Sequence, residues 1–301
     1  MMEALLKVSG LNKTFGKKKV LHGVDFTVAS GRVVGLVGPN GAGKSTIMKA
    51  ILGLIPTDGG QIQIADQAVS ITKHQALRQV GALIEYPGIY PFLTGRQHLE
   101  LFAAKKQRQQ HVDAIVQALG MAGYINKPAK SYSLGMKQKL GIAQALVDRP
   151  QLVILDEPMN GLDPQAVKDL RDIIRAQAKA GTSFLISSHI LSELEKVADD
   201  VLILNHGHII QQSTMQDLAE AGGTIYELQT VNDRDALAAL QAAHVPVNLV
   251  DRKLQITQTD RTTLNAALIA LVHAGIAVQD VTKAQHDLEQ SFLDLVEQEV
   301  H

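Results

Sequence analysis

Gly38-Pro39-Asn40-Gly41-Ala42-Gly43-Lys44-Ser45-Thr46 is the segment best equipped for chemistry. It fills the pattern G-x-x-x-x-G-K-[ST] of a phosphate-binding loop. Glycines let the backbone curl so that successive N–H groups face one point, a nest for phosphate oxygens. A helix starting at the loop adds partial positive charge. Lys44 can neutralise β- and γ-phosphates, and the Ser45 hydroxyl can ligate Mg²⁺. The segment therefore points to nucleotide binding.

Such a loop needs a second, acidic strand to hold the metal. Leu152-Val153-Ile154-Leu155-Asp156-Glu157 supplies four apolar residues and then two carboxylates. In open α/β sheets, ligands bind at the carboxyl ends of strands, so the acids are expected beside the loop. Asp156 is the candidate Mg²⁺-associated carboxylate. Glu157 is the candidate base that polarises an attacking water. Ser183–Ser187 reads as a third strand, followed by Ser188-His189 and the spacing Leu191, Leu194, Val197. An imidazole at His189 could contact a γ-phosphate. It could equally be one of the chain's 11 histidines that merely faces solvent. A fourth segment, Ser131–Lys139, precedes a helical run with Met136, Leu140, Ala143 and Val147 on one face. Ser133 is a plausible N-cap there, and the segment offers a hydroxyl, amides and a dipole end to an anion. On the residues alone, a simple capped helix explains it as well.

The elements that must position these residues follow from pattern. Val33–Val37 is a short apolar run rich in β-branched residues, as in a buried parallel strand. It ends at Gly38. Beyond the loop, Ile47, Met48, Ile51, Leu52 and Ile55 recur at helical spacing, with Gly53 and Pro56 closing the run. The order is strand, glycine loop, helix.

Length and charge bound the rest. The 301 residues allow one large domain or two modest ones. The absence of cysteine excludes a disulfide scaffold, a thiolate metal site and a Cys nucleophile, and suits a reducing compartment. No apolar run reaches the roughly 18 residues of a membrane span. The longest, Ala267–Val278, is broken by His273 and Gly275. The N-terminus lacks the basic start and long apolar stretch of a signal peptide. The expected location is the cytosol unless a partner holds the chain at a membrane. A net charge of −1 gives no strong pull on nucleic acid, which is not an expected partner. Residues 223–301 hold 5 Lys and Arg against 11 Asp and Glu, a net of −6, whereas the rest hold 24 against 19, a net of +5. That shift predicts two domains, 1–220 and 223–301, with Glu220-Ala221-Gly222-Gly223 as the boundary.

Taken together, the motifs and their order resemble an ATP-binding cassette (ABC) ATPase over roughly residues 4–215. Gly38–Thr46 resembles the family's Walker A motif and Leu152–Glu157 its Walker B. Tyr132-Ser133-Leu134-Gly135-Met136 resembles the signature L-S-G-G-Q. Gly161-Leu162-Asp163 resembles the D-loop, and His189 the switch histidine. Phe15 stands where an aromatic stacks on adenine. The resemblance implies an α/β P-loop cassette: a core sheet with helices, an antiparallel β subdomain, and a helical subdomain about 86–150. It implies ATP and Mg²⁺ as cofactors. It also implies a head-to-tail pair with a second copy or a paralogous cassette, each ATP lying between one P-loop and the other subunit's Ser133 and Gly135.

The departures narrow the branch. Tyr132, Leu134 and Met136 replace Leu, Gly and Gln of the signature, while Ser133 and Gly135 remain. In Ile84-Glu85-Tyr86-Pro87, Glu85 stands where the family carries the Q-loop glutamine, a metal-reaching position. Glu85 with S-L-G-M-K-Q resembles the bacitracin- and lantibiotic-resistance exporters. In that branch the cassette is a separate chain that works with a membrane permease, so this chain is expected at the cytoplasmic face of the membrane. The runner-up is a soluble ABC ATPase of translation or DNA repair, which usually carries two cassettes or a long coiled coil. This chain has one P-loop and no sustained heptad run.

The acidic C-terminal part shows only pattern. Thr224–Thr230, Val245–Val250, Leu254–Thr257 and Ile276–Val281 read as strands. Ala236, Leu237 and Leu240 mark one helix, and Leu264, Ala267, Leu268 and Leu271 another. The order βαββαβ predicts a small ferredoxin-like α+β unit. Leu288, Phe292, Leu295 and Val296 predict a last helix. No catalytic constellation is visible there.

Overall fold

A computed structural model describes residues 3–221, 224–250, 253–258 and 262–284. Its contacts divide the chain into two compact units, Met1–Met215 and Gln216–His301. The division falls at the start of a helix, earlier in the chain than the glycine turn picked out by charge.

The first unit opens with two long antiparallel strands, β1 (Ala4–Phe15) and β2 (Lys18–Ala29). In β2 the residues Val24, Phe26 and Val28 alternate inward with polar residues outward, the pattern of a half-buried sheet. With β4 (Gly59–Ile64) and β5 (Gln67–Ala68) they form one sheet, ordered β2-β1-β4-β5.

The second sheet carries the motifs. Its strands are β3 (Val33–Val37), β6 (Val80–Leu83), β7 (Leu152–Leu155), β8 (Ser183–Ser188), β9 (Asp200–Asn205) and β10 (His208–Thr214). They lie in the order β10-β9-β3-β8-β7-β6. All neighbours run parallel except β10, which pairs antiparallel to β9 at one edge. Every residue of β3, β7 and β8 is buried, as expected for strands covered on both faces. The acid strand β7 is not the neighbour of β3: β8 lies between them, two residues of polar Ser187-Ser188 at its end.

Helices α1 (Lys44–Ile51), α5 (Pro164–Lys179) and α6 (Leu191–Glu195) follow β3, β7 and β8. Both α1 and α6 stop before their apolar spacing does, so Ile55 and Val197 lie past the helix ends. Helices α2 (Gly95–Phe102), α3 (Arg108–Ala118) and α4 (Leu134–Leu146) fill the stretch between β6 and β7. Thr94 caps α2 in a reciprocal box with Gln97. At Gly81 of β6 an added Cβ would overlap the Ala145 carbonyl, so α4 approaches the sheet at backbone distance.

The second unit begins within α7 (Met215–Ala221). It continues as β11 (Thr224–Thr230), α8 (Asp233–Ala242), β12 (Val247–Val250), β13 (Lys253–Gln258), α9 (Thr263–His273) and β14 (Val278–Ala284). This is the expected βαββαβ order. The strands are antiparallel and lie in the order β12-β13-β11-β14, the arrangement of a split βαβ unit. Leu228, Leu254 and Ile256 of the sheet pack with Leu240 of α8 and Leu271 of α9. Asn232 caps α8 by accepting from the Asp235 N–H. The predicted helix through Leu288–Val296 lies outside the described residues.

Candidate active site at the parallel sheet edge

The phosphate loop leaves β3 at Val37 and turns into α1, whose N-cap is Gly43. Gly43 has φ +115°, a conformation that side chains rarely adopt, and a Cβ there would press on Leu21. At Gly38 a Cβ would overlap the Leu204 carbonyl of β9. Gly38 is therefore required by close backbone approach, and Gly43 by its left-handed φ. Asn40, Gly41, Lys44, Ser45 and Thr46 line a cleft of about 200 Å³ together with Glu157. Pro39 and Ala42 complete the turn through the Ala42 N–H to Pro39 carbonyl bond. Lys44 is buried, and its Nζ donates to the Gly38 carbonyl at 2.6 Å and lies 3.4 Å from Glu157 Oε1.

The acid strand ends in two carboxylates with different surroundings. Asp156 is 4% exposed, and its Oδ1 accepts a 2.6 Å hydrogen bond from Ser187 Oγ. Glu157 is more open and sits at φ +48°, a strained conformation for a residue with a Cβ. Its N–H donates to the same Ser187 Oγ at 2.8 Å. His189 Nδ1 lies 2.9 Å from Glu157 Oε2. An ionised carboxylate only accepts, so Nδ1 carries the hydrogen and Nε2 is left for another partner. The structure thus brings together Lys44, Ser45, Glu157 and His189, with Asp156 behind them. Ser187 had no motif to announce it; a polar pair closing an otherwise apolar strand was the one sequence signal.

The helical segment is fixed from two sides. Ser133 caps α4 by accepting from the Met136 N–H at 3.3 Å. Tyr132 is buried against Gly95, donates to the Tyr124 carbonyl at 3.0 Å and meets the Tyr124 ring edge-on at 5.0 Å. Burial pushes the Tyr124 hydroxyl up to about 12 and the Tyr132 hydroxyl upward as well. Gly135 faces the Gly161 carbonyl, where a Cβ would come within 3.1 Å. Gln138 Nε2 donates to the Pro158 carbonyl at 3.3 Å. Asp163 caps α5 by accepting from the Ala166 N–H at 2.9 Å, with Pro164 in the first turn. These contacts tie the start of α4 to the loop that follows Glu157. Phe15, at the end of β1, is half exposed, and Lys13 Nζ sits 4.7 Å over its ring.

Glu85 stands apart from the cluster above. Its side chain is 54% exposed, its φ is +58°, and its Oε1 lies 2.5 Å from Lys49 Nζ in the last turn of α1. Among the described residues no group of three or more His, Cys, Asp or Glu could hold a metal by itself. None of the described helices is long and apolar enough to cross a membrane.

A glycine phosphate loop, an acid strand and a histidine at the carboxyl edge of one parallel sheet define a P-loop nucleotide hydrolase. A family profile described as "ABC transporter" matches residues 21–160. The bacitracin transport ATP-binding protein BcrA of Bacillus licheniformis is 34% identical over 98% of each chain. The lantibiotic transport ATP-binding protein SrtF of Streptococcus pyogenes is 39% identical over 68% of this chain and 89% of its own. A solved ATP-binding subunit of an ABC transporter superposes with a TM-score of 0.68 at 32% identity, over 72% of this chain and 92% of that one. The chain belongs to the ABC transporter family, as its ATP-binding and ATP-hydrolysing subunit. The alternative in translation or DNA repair finds no support among these relatives.

Proposed function

We propose that this chain energises a separate bacterial membrane permease that exports a peptide antibiotic of the bacitracin or lantibiotic kind. The observation that carries this reading is the match to the bacitracin transport protein, which runs through the C-terminal unit as well as the cassette. The chain then sits at the cytoplasmic face of the membrane, held there by the permease.

The residues take the following parts. The loop amides of Gly38–Thr46 cradle the phosphates, and Lys44 moves from Glu157 and the Gly38 carbonyl onto them. Phe15, half exposed, offers its ring to stack on the adenine. Ser45 and Asp156 present hard oxygen donors, which suit Mg²⁺, an ion that completes its shell with water and substrate phosphates. Glu85 could add a third. Bound there, Mg²⁺ would neutralise phosphate charge. Glu157 accepts the proton of the attacking water, and His189, held by Glu157 through Nδ1, turns Nε2 to the γ-phosphate. Ser133 and Gly135, with Asp163 close by, close over the nucleotide of a second cassette, either another copy or a paralogue.

The test is genetic and biochemical. Cells lacking this chain should become more sensitive to a bacitracin- or lantibiotic-type peptide. The wild-type gene should restore resistance, and the Glu157→Gln gene should not. The chain should also co-purify with one polytopic membrane protein. Unchanged sensitivity to a panel of such peptides would overturn the substrate class.

A further inference from the structure

We propose that the Ser187 hydroxyl positions both carboxylates of the acid strand, and so sets the catalytic geometry from the neighbouring strand. The inference rests on the roles given above to Asp156 and Glu157. Ser187 is fully buried, and β8 pairs with β7 in a register that ends at Leu155↔Ile186. The next step along both strands brings Ser187 level with the two acids. There the chain after Leu155 leaves the ladder, and the Glu157 N–H needs another acceptor. Ser187 Oγ is that acceptor at 2.8 Å, and the same oxygen donates its hydrogen to Asp156 Oδ1 at 2.6 Å. One hydroxyl therefore uses its donor on the first carboxylate and its acceptor on the backbone of the second.

The consequence reaches the reacting atoms. Glu157 holds φ +48°. Such a conformation persists only when its surroundings over-determine it. Ser187 fixes the nitrogen side of that residue, and His189 fixes its carboxylate at 2.9 Å. Ser187 and His189 are two residues apart on one chain. The strand that leads into the histidine thus sets where the acids stand. An apolar residue at 187 would fill the same space and leave a part-buried N–H and a buried carboxylate oxygen without this partner.

The experiment compares Ser187→Ala, Ser187→Thr and Ser187→Val in the full chain. Loss of a supporting partner typically lowers activity about 10-fold to 100-fold, and that is the fall expected in kcat for Ser187→Ala. The KM for ATP should stay within about 2-fold, because the phosphate loop is untouched. Ser187→Thr keeps a hydroxyl and should recover most of the rate; Ser187→Val has the same shape without it and should not. Amide hydrogen exchange supplies a readout that needs no turnover. Exchange at Glu157 should speed up in Ser187→Ala, while Val153 and Ile154 keep the parent rate. Parent kcat in Ser187→Ala, equal rates for Thr and Val, or faster exchange spread evenly over β7 would each overturn the proposal. Glu157→Gln is the control: if it hydrolyses ATP at the parent rate, the role of Glu157 is what has failed, and the exchange result still decides the role of Ser187.

Discussion

The two units use the same materials, strands backed by helices, with opposite results for chemistry. In the cassette, β3, β7 and β8 run parallel and are buried along their whole length. Parallel strands all end on the same side, so Gly38, Asp156 and His189 arrive together although they are far apart in sequence. In the C-terminal unit the four strands alternate in direction, which sends successive ends to opposite edges. One face of that sheet joins the apolar core of Leu228, Leu254 and Ile256. The intervening positions carry polar residues such as Glu227, which pairs with Lys253 at 2.7 Å. Direction of strands, more than composition, separates the unit that gathers a site from the one whose described residues gather none.

The sharpest way to break this comparison is at the gathered edge. Glu157→Gln should lower ATP hydrolysis about 10²-fold to 10⁴-fold, the usual cost of losing a general base. ATP binding should survive, because the loop amides and Lys44 remain. The variant should accumulate as an ATP-stabilised dimer, seen by size-exclusion chromatography. Lys44→Ala should fail earlier, with weak binding. A Glu157→Gln protein that turns over at the parent rate would place the base elsewhere.

The next largest effect belongs to the other unit. Leu240 is fully buried between helix and sheet. Leu240→Ala should cost about 2–5 kcal/mol in the stability of that unit. ATP affinity, measured by titration calorimetry, should not change. In the same sense, a chain ending at Ala221 should fold and keep nucleotide-dependent thermal stabilisation, since every motif precedes it. A loss of ATP binding in either protein would mean that the two units share one core.

The same contrast explains what could be read in advance. Val33–Val37 and Leu152–Leu155 were legible to the residue, because β-branched or continuous apolar runs are closed by Gly38 and by Asp156. The βαββαβ order was legible from alternation and helical spacing, although no motif lay there. The strand at Ser183–Ser188 is equally legible, but its place between β3 and β7 is not, since nothing in a sequence states which strand neighbours which. For that reason the contacts of Ser187 and Gln138 cannot be read from the chain: their partners, Asp156 with Glu157 and Pro158, are distant in sequence or on another element. The Lys49–Glu85 pair is hidden for the same reason, being made between the end of a helix and a loop.

Glu85 carries the smallest and most discriminating prediction. Its position in the chain offers a carboxylate where the family carries a neutral amide. Its place in the fold gives that carboxylate to Lys49 at 2.5 Å. An exposed ion pair of this kind is worth only about 0.2–1 kcal/mol, so a stronger cation can displace it. Mg²⁺ favours charged oxygen donors over a lysine's competition when phosphates share the ion. Removing the charge while keeping the shape then separates two outcomes. If Glu85 leaves Lys49 for the metal, Glu85→Gln should remain an active ATPase and shift the Mg²⁺ concentration for half-maximal rate by about 1.4-fold to 5-fold, the equivalent of that pair energy. Glu85→Ala should reduce transport more than hydrolysis, since the loop loses its shape as well. If Mg²⁺ titrations of the parent and Glu85→Gln superimpose, Glu85 belongs to Lys49 alone, and the gathered edge of the cassette ends at Asp156 and Glu157.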